Sequence, residues 1–339
     1  MTDDRRPKTH GATTRQFAVG VAAAIALSVG GCSSQLGPNV QLTIPKGASF
    51  RVAAESLSAH GLVSSARVFS MYAKLKDRDR SLRWGTYVLR TGMSWGQMLD
   101  ALRLGHGVIH QVTIPEGLSI ADVEPLLMDA LDLTKDSLDA AVRDTSLLRE
   151  LNIPTHTVEG YLFPDTYTFP DKTSARDAVR MMVDQFEREW RPEWTQQAQS
   201  MKLNRNDIVT LASIVEREVR RDEERPVIAA VYLNRLKIGM PLMADPTVSY
   251  ALGKKPGRVY LKDLRVKSPY NTYRRQGLPP GPIASPGLAS IRAALFPAKV
   301  GYRFFVAAPD GHHEFRRTYA EHLAAIEMVR GMKKDTVKP

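Results

Sequence analysis

Thr43-Ile44-Pro45-Lys46-Gly47 and Thr113-Ile114-Pro115-Glu116-Gly117 are one five-residue phrase written twice, with a single charge exchanged. Each follows a strand-like run (Leu42 onward in the first copy), breaks at a Pro-x-Gly turn and passes into an amphipathic helix. The chain is therefore read as carrying a repeated strand–turn–helix unit, and its class as α+β. Outward from the first copy, the pattern gives a helix from Phe50 to His60 with Val52, Ala53 and Leu57 on one side. A helix over about 65–75, a strand Gly85–Leu89 and a helix over about 94–104 closing at Gly105 follow. Outward from the second copy, 118–157 reads as helical and polar. Glu159 to Tyr167 reads as extended and aromatic, a core edge or the wall of a sugar groove, with composition favouring core. A helix over about 174–200 carries Trp190 and Trp194.

The 339 residues suffice for two or three small domains. A hydrophobic fraction of 43% with 24% charged residues describes a folded body, not a disordered one. The net charge of +11 draws polyanions: nucleic acid, anionic lipid or carboxylate-rich cell wall. No zinc-finger spacing, aromatic nucleic-acid signature or recognition-helix pattern accompanies it, so no nucleic acid is expected. The single cysteine, Cys32, permits neither an intrachain disulfide nor a thiolate metal cluster. No metal and no cofactor are expected.

Arg5, Arg6, Lys8 and Arg15 precede an uninterrupted apolar and small-residue run from Phe17 to Gly31. This is the order of a membrane address. The run is shorter than the roughly 20 residues of a comfortable span. It ends in Val29-Gly30-Gly31-Cys32-Ser33-Ser34, like a bacterial lipobox. Two readings stand: a lipidated Cys32, or a short uncleaved anchor. Both put the rest of the chain outside the cytoplasm, because positive flanks stay inside.

From 205 onward chemical signals are dense. Asn206 or Asp207 is positioned to cap a helix running to about Arg220. Its apolar residues are Ile208, Leu211, Ile214, Val215 and Val219. At 100° per residue with Leu211 at zero, Glu218 falls at about −20°, inside the apolar stripe, and Glu216 at about +140°, off its edge. Glu216 is then a solvated or edge charge. Glu218 needs an explanation, because an unpaired carboxylate on a buried face pays a large desolvation penalty. Two explanations fit: an ion pair with a core-facing arginine such as Arg235, or an acid whose pKa is raised for proton transfer near neutrality.

A helix from Val227 to Lys237 follows, ending at Gly239, with Asn234 and Arg235 near its end as groups that fix the acid's surroundings or cap carbonyls. Asp245-Pro246-Thr247 has the form of an N-cap followed by Pro; Asp245 is also the one candidate for a second catalytic carboxylate. Tyr270, Asn271 and Tyr273, in the run Ser268–Tyr273, and the Pro-rich loop Gly277–Ile283 suit carbohydrate, since rings stack on sugar faces and amides bond hydroxyls; rigid packing loops are the alternative. Tyr302–Ala307 and His313–Arg316 read as a hairpin turning at Asp310-Gly311. His312, His313 and His322 lack a metal-ligand spacing and are read as surface or local hydrogen-bonding groups.

With these motifs on the page, a resemblance emerges. Ala212-Ser213-Ile214-Val215-Glu216-Arg217-Glu218, Val231-Tyr232-Leu233-Asn234-Arg235-Leu236, Asp245-Pro246-Thr247-Val248, Ser268–Tyr273 and Gly277–Ile283 resemble the endolytic murein transglycosylase family (MltG, YceG-like). Gly85-Thr86-Tyr87, Pro115-Glu116-Gly117, Glu159–Tyr167, Phe304-Phe305-Val306 and His313-Glu314-Phe315 fit it in order. The resemblance covers nearly everything after the linker at 33–41. It implies an anchor over 1–34, a small LysM-like βαα/β module over 42–108 and a mixed α/β catalytic domain over 109–335. It further implies Glu218 as the acid/base, with Tyr270, Asn271, Tyr273, Asn234 and Asp245 as substrate-binding candidates. The substrate would be the glycan of peptidoglycan, cut between N-acetylmuramic acid and N-acetylglucosamine in nascent strands to leave 1,6-anhydro ends, limiting their length. The implied location is the inner membrane facing the periplasm, with peptidoglycan synthases as partners; a lipoprotein held through Cys32 is the alternative. Two positions depart from the family: Val219, where a small residue such as Thr is usual, and Met243, where Gln is common. The lipobox-like Cys32 also departs from the usual longer span. Two other functions remain open: a glycan-binding scaffold whose acid is structural, and a hydrolysing muramidase with Asp245 as second carboxylate.

Overall fold

The computed structural model describes residues 36–80, 82–105, 108–255 and 257–335, the side chains of 333–335 excepted. The anchor reading of 1–34, with Cys32, lies outside the described residues. Among those residues no helix is long and apolar enough to cross a membrane.

The repeated phrase is a repeated structure. In the first copy β1 (Asn39–Ile44) ends at Pro45, Gly47 turns at φ +78°, and Ser49 caps α1 (Phe50–Ala59). α2 (Ala66–Leu75) and β2 (Gly85–Arg90) complete the unit, and α3 (Trp95–Leu104), closed by left-handed Gly105, leads to the second copy. There β3 (Val108–Thr113) ends before Pro115, Gly117 turns at the same φ of +78°, and Ser119 caps α4 (Ile120–Leu131). α5 (Lys135–Val142), α6 (Thr145–Glu150) and β4 (Thr166–Pro170) follow. A backbone at φ +78° strains an L side chain and does not strain glycine, which accounts for Gly at the same place in both phrases.

The duplication extends to cross-strand detail. Thr43 faces Thr86 and Thr113 faces Thr166, each pair joined through its hydroxyls at 2.9 Å. Tyr87 and Tyr167 each donate a hydroxyl hydrogen bond to the carbonyl four residues back, at Arg83 (2.7 Å) and Phe163 (2.6 Å). The four strands form one antiparallel sheet in the order β1-β2-β3-β4. Two apolar clusters are built on it. One joins Leu42, Leu57, Phe69, Tyr87, Leu99 and Val108; the other runs from Val112 on β3 to Leu295. The sheet itself runs through the position between them.

α7 (Ala175–Glu189) and α8 (Pro192–Ser200) replace the single long helix expected over 174–200. The break falls at Arg191-Pro192, because Pro lacks the N–H a continuing helix needs and suits a helix's first turn. Trp190 and Trp194 are buried across this break, edge to face at 5.7 Å. The Glu159–Tyr167 run is core: Tyr161 and Leu162 are buried, and only its end is strand. Beyond it α9 (Arg205–Glu218), α10 (Arg225–Lys237), α11 (Asp245–Ala251) and α12 (Leu288–Leu295) pack together. The hairpin β5 (Phe304–Ala307) with β6 (His313–Arg316) and the final α13 (Tyr319–Asp335) close the chain. Helices and antiparallel sheets make the fold α+β.

Candidate active site

α9 is buried on every side: Ile208 to Val215 are all inaccessible. α12, α10, α11 and α8 surround it. Its start lies upstream of Asn206, at Asn204, whose amide oxygen accepts from the Asp207 N–H (3.0 Å) while the Asp207 carboxylate accepts from the Asn204 N–H (2.9 Å). Asp207 is thus the third helical residue of a capping box, not the cap. Asn206 instead accepts from the Tyr161 hydroxyl. At the other end the helix stops on Glu218, because Val219 is extended (φ −63°, ψ 139°).

Glu218 therefore sits where a buried helix meets an open cavity of about 860 Å³. The cavity is bounded by the end of α9, by α11, by residues 257–259 and by the β5–β6 hairpin, and Arg217, Arg220, Asp245, Arg258 and His313 share it with the acid. The Tyr232 hydroxyl, buried on α10, donates to Glu218 Oε1 at 2.8 Å, which leaves Oε2 for the cavity. Burial pushes the Glu218 carboxyl up to about 7, the charge of Asp245 adds to the rise, and the Tyr232 hydrogen bond with the charges of Arg235 and Arg220 works against it. A carboxyl near 7 is protonated often enough to give a proton at neutral pH and basic enough to take one back.

The expected ion pair with Arg235 is not formed. Arg235 donates through Nε to the Arg303 carbonyl (2.7 Å) and through Nη1 to the Leu242 carbonyl, fixing the hairpin against α10. Among the described residues Glu218 has no ion pair. Glu216 overturns the other expectation. Its side chain is only 6% exposed, bonded to Arg225 at 3.2 Å and to the Gly287 N–H at 3.0 Å. The helical phase placed it off one stripe, but α9 has no solvent side, and Arg225 arrives from α10 to neutralise it.

Asp245 is the first residue of α11, and Ala244 occupies the cap. With no capping bond, the Asp245 carboxylate accepts the Tyr273 hydroxyl at 2.6 Å. The structure thus brings Glu218, Asp245 and Tyr273 to one place. It does not bring the other three candidates there. Asn271 is fully buried; its amide nitrogen donates to the Leu264 and Val266 carbonyls, both at 2.9 Å, and its oxygen accepts from the Tyr273 N–H. It holds the loop that presents Tyr273. Tyr270 packs its ring on Tyr250 at 4.9 Å. Asn234 faces a different cavity, between α8, α10 and residues 295–300, and donates to the Val300 and Tyr302 carbonyls at 2.9 Å each. Amides and rings in a Pro-rich loop look alike in sequence whether they face a ligand or the loop's own backbone.

The hairpin forms with its first strand starting at Phe304 instead of Tyr302. Of the three histidines read as surface or local groups, only His312 fits. His313 is buried and bonded to a residue far along the chain, and the His322 ring stacks on Phe304 at 5.3 Å. His312 bridges Asp310 and Glu314, and buried His313 bonds Glu224 at 2.6 Å. Sequence reasoning passed over two groups here. Tyr232 has no signal of its own beyond lying in the Val231–Leu236 motif. Glu159 is a second buried carboxyl, 5% exposed, holding the Ile120 N–H at 3.2 Å and the Tyr250 hydroxyl at 3.3 Å, and burial pushes it up to about 7.

A family model described as the YceG-like family matches residues 42–328. The endolytic murein transglycosylase of Bacillus subtilis (strain 168) is 34% identical over 313 residues, which span 87% of this chain and 86% of that protein. That of Streptococcus pneumoniae serotype 2 (strain D39 / NCTC 7466) is 31% identical over 323 residues, spanning 84% of this chain and 58% of the longer pneumococcal protein. A crystal structure of a YceG-like protein from Listeria monocytogenes matches with a TM-score of 0.65 at 31% identity, covering 84% of this chain and 98% of that one.

Proposed function

The chain belongs to the YceG-like family, and on that premise we propose that Glu218 is the acid and base of an endolytic murein transglycosylase reaction. The enzyme is a lyase acting on the glycan strands of peptidoglycan. Such a reaction cleaves the bond from N-acetylmuramic acid to N-acetylglucosamine without consuming water. Protonated Glu218 gives its proton to the bridging oxygen as the C1–O bond breaks and an oxocarbenium-like centre develops. The resulting carboxylate takes the proton of the muramic 6-hydroxyl, whose oxygen bonds C1 and closes the 1,6-anhydro ring. Glu218 ends protonated, as it began.

The observation that carries this reading is the placing of Glu218: a desolvated carboxyl near 7, held through one oxygen by Tyr232 and open through the other to a cavity. A single carboxyl used twice needs that intermediate basicity. Tyr273 and Asp245, hydrogen-bonded to each other at the cavity, are the nearest sugar-positioning groups in this reading. Asn271, Tyr270 and Asn234 support it from behind, by fixing loops. The division into a LysM-like module over 42–108 and a catalytic domain over 109–335, the membrane anchor, the periplasmic placement and the contact with peptidoglycan synthases belong to the same proposal. The apolar Phe17–Gly31 run and the basic residues before it support the anchor.

The test is to incubate the chain and its Glu218→Gln variant with purified glycan strands and to read product ends by mass spectrometry. Anhydro ends from the unaltered chain alone are expected. Reducing ends would overturn the lyase chemistry and favour hydrolysis with Asp245. Uncut strands that still bind would favour a scaffold.

A further inference from the structure

The cavity that holds the acid carries more positive charge than the chemistry can use. The reaction proposed above develops positive charge on the sugar, so cations beside it raise the barrier. Yet Arg217, Arg220 and Arg258 all line the cavity. Arg217 is accounted for: its Nη1 donates to the Gly117 carbonyl, tying α9 to the second Pro-x-Gly turn. Arg220 and Arg258 are not. Neither has an ion pair or a hydrogen bond among the described residues. The anions nearby are already engaged, Asp245 by Tyr273, Glu224 by His313 and Asp263 by Lys254. The Arg258 guanidinium lies over the Tyr260 ring at 5.3 Å, which limits its freedom while leaving its N–H fork available.

We infer that Arg220 and Arg258 form an anion subsite for the free carboxylates of the peptide stem borne by the muramic residue. This rests on the glycan-cleaving reading of the same cavity. The amino sugars are uncharged, and in an intact strand the lactyl carboxyl of muramic acid is closed as an amide to the stem. The stem's own carboxylates are then the anions that travel with every scissile bond. Planar carboxylates match the guanidinium fork in a bidentate way that an ammonium does not reproduce. Bound there, they also neutralise the two charges that would oppose the developing cation. The subsite makes the enzyme selective for strands that still carry charged stems.

The experiment uses the full chain and one batch of glycan strands, half of it with stem carboxylates converted to primary amides. That conversion removes charge and keeps size. The unaltered enzyme is expected to cut the charged strands with about tenfold higher kcat/KM, mainly through KM, and 0.5 M salt is expected to erase most of the difference. Measured well below pH 7, where Glu218 stays protonated, Arg220→Gln and Arg258→Gln should each reduce that preference. They should cut the amidated strands no more slowly than the unaltered enzyme, since no bound carboxylate offsets the arginine charge there. Arg258→Lys should restore only part of it. Equal cutting of both strands by the unaltered enzyme would overturn the inference, as would variants that lose rate equally on both. If the unaltered enzyme forms no anhydro ends on either strand, the lyase reading fails instead. Binding of the two strand types to the Glu218→Gln chain would then still decide whether the arginines read charge.

Discussion

The Tyr232 hydroxyl reaches from α10 to donate a 2.8 Å hydrogen bond to Oε1 of Glu218, and on the α11 side of the cavity the charge of Asp245 presses on the same carboxyl. The two act in opposite directions. The hydrogen bond favours the carboxylate; the neighbouring anion favours the acid.

The pH profile should therefore move both ways. The reaction begins from protonated Glu218, so kcat should be flat at lower pH and fall as pH rises through about 7. Tyr232→Phe removes a lowering influence and should shift that alkaline limb to higher pH, with a lower maximum from lost orientation. Asp245→Asn removes a raising influence and should shift it to lower pH. Rate against pH for the three proteins checks this. Abolished activity in Asp245→Asn at every pH would show Asp245 in the chemistry itself.

Glu216→Ala should destabilise the fold by about 3 kcal/mol, because it leaves the Arg225 guanidinium in a buried site without its closest shielded partner. Arg225 keeps the exposed Asp222 and the Ser290 hydroxyl, which prevents a larger loss. Urea unfolding of the variant, with anhydro-end formation measured well below its melting point, separates a stability effect from a catalytic one. Unchanged stability would contradict the structural role.

Glu159 carries a linkage prediction. Its carboxyl is raised in the folded state from 4.5 to about 7, so the folded chain binds more protons than the unfolded chain between those values. The corresponding stability is fully present below 4.5 and is lost as pH rises through 7, an effect of about 3 kcal/mol. Glu159→Gln keeps one acceptor oxygen, which at the place of Oε2 is within reach of both the Ile120 N–H and the Tyr250 hydroxyl, and it does not ionise. It should melt higher than the unaltered chain at pH 8, with the gap closing toward pH 5. A gap independent of pH would mean that the Glu159 carboxyl titrates alike in the folded and unfolded chain, against the raised value.

Gly160→Ala should be costly for two separate reasons. The backbone is left-handed there at φ +82°, and an added Cβ would stand 2.3 Å from Pro282 Cβ. A loss of about 2–3 kcal/mol is expected, measurable by denaturant unfolding. Displaced Pro282 would also pull Ile283 from the Ser213 hydroxyl, now 3.1 Å from its N–H.

Local rules were legible where a few neighbouring residues decide the outcome. The Pro-x-Gly turns, the Gly105 stop and the β5–β6 hairpin depend on backbone preferences within five or six positions. The inward phase of Glu218 depended only on helical geometry. What escaped was long-range. Glu216 looked solvated because periodicity assumes a wet face, and α9 has none. Asp245 looked like a cap because Asp-Pro is a local signature, whereas its hydroxyl partner lies 28 residues on at Tyr273. Asn271 looked like a sugar ligand because sequence does not reveal that its amide faces the carbonyls of 264 and 266. The family resemblance supplied the chemistry in each case, but the direction of each side chain belonged to the packing.

The stop of α9 at Glu218 has an electrostatic meaning of its own. The last carbonyls of a helix have no N–H ahead of them, and together they act as about half a negative charge at its C-terminus. Glu218 is the residue on which that end falls. The main chain thus works as a fixed cathode beneath the carboxyl, opposing its ionisation without any side chain that mutation could remove. Val219, by turning extended, sets where the cathode ends. A substitution at 219 that let the helix run one turn further would move that partial charge away from the proton it helps to retain.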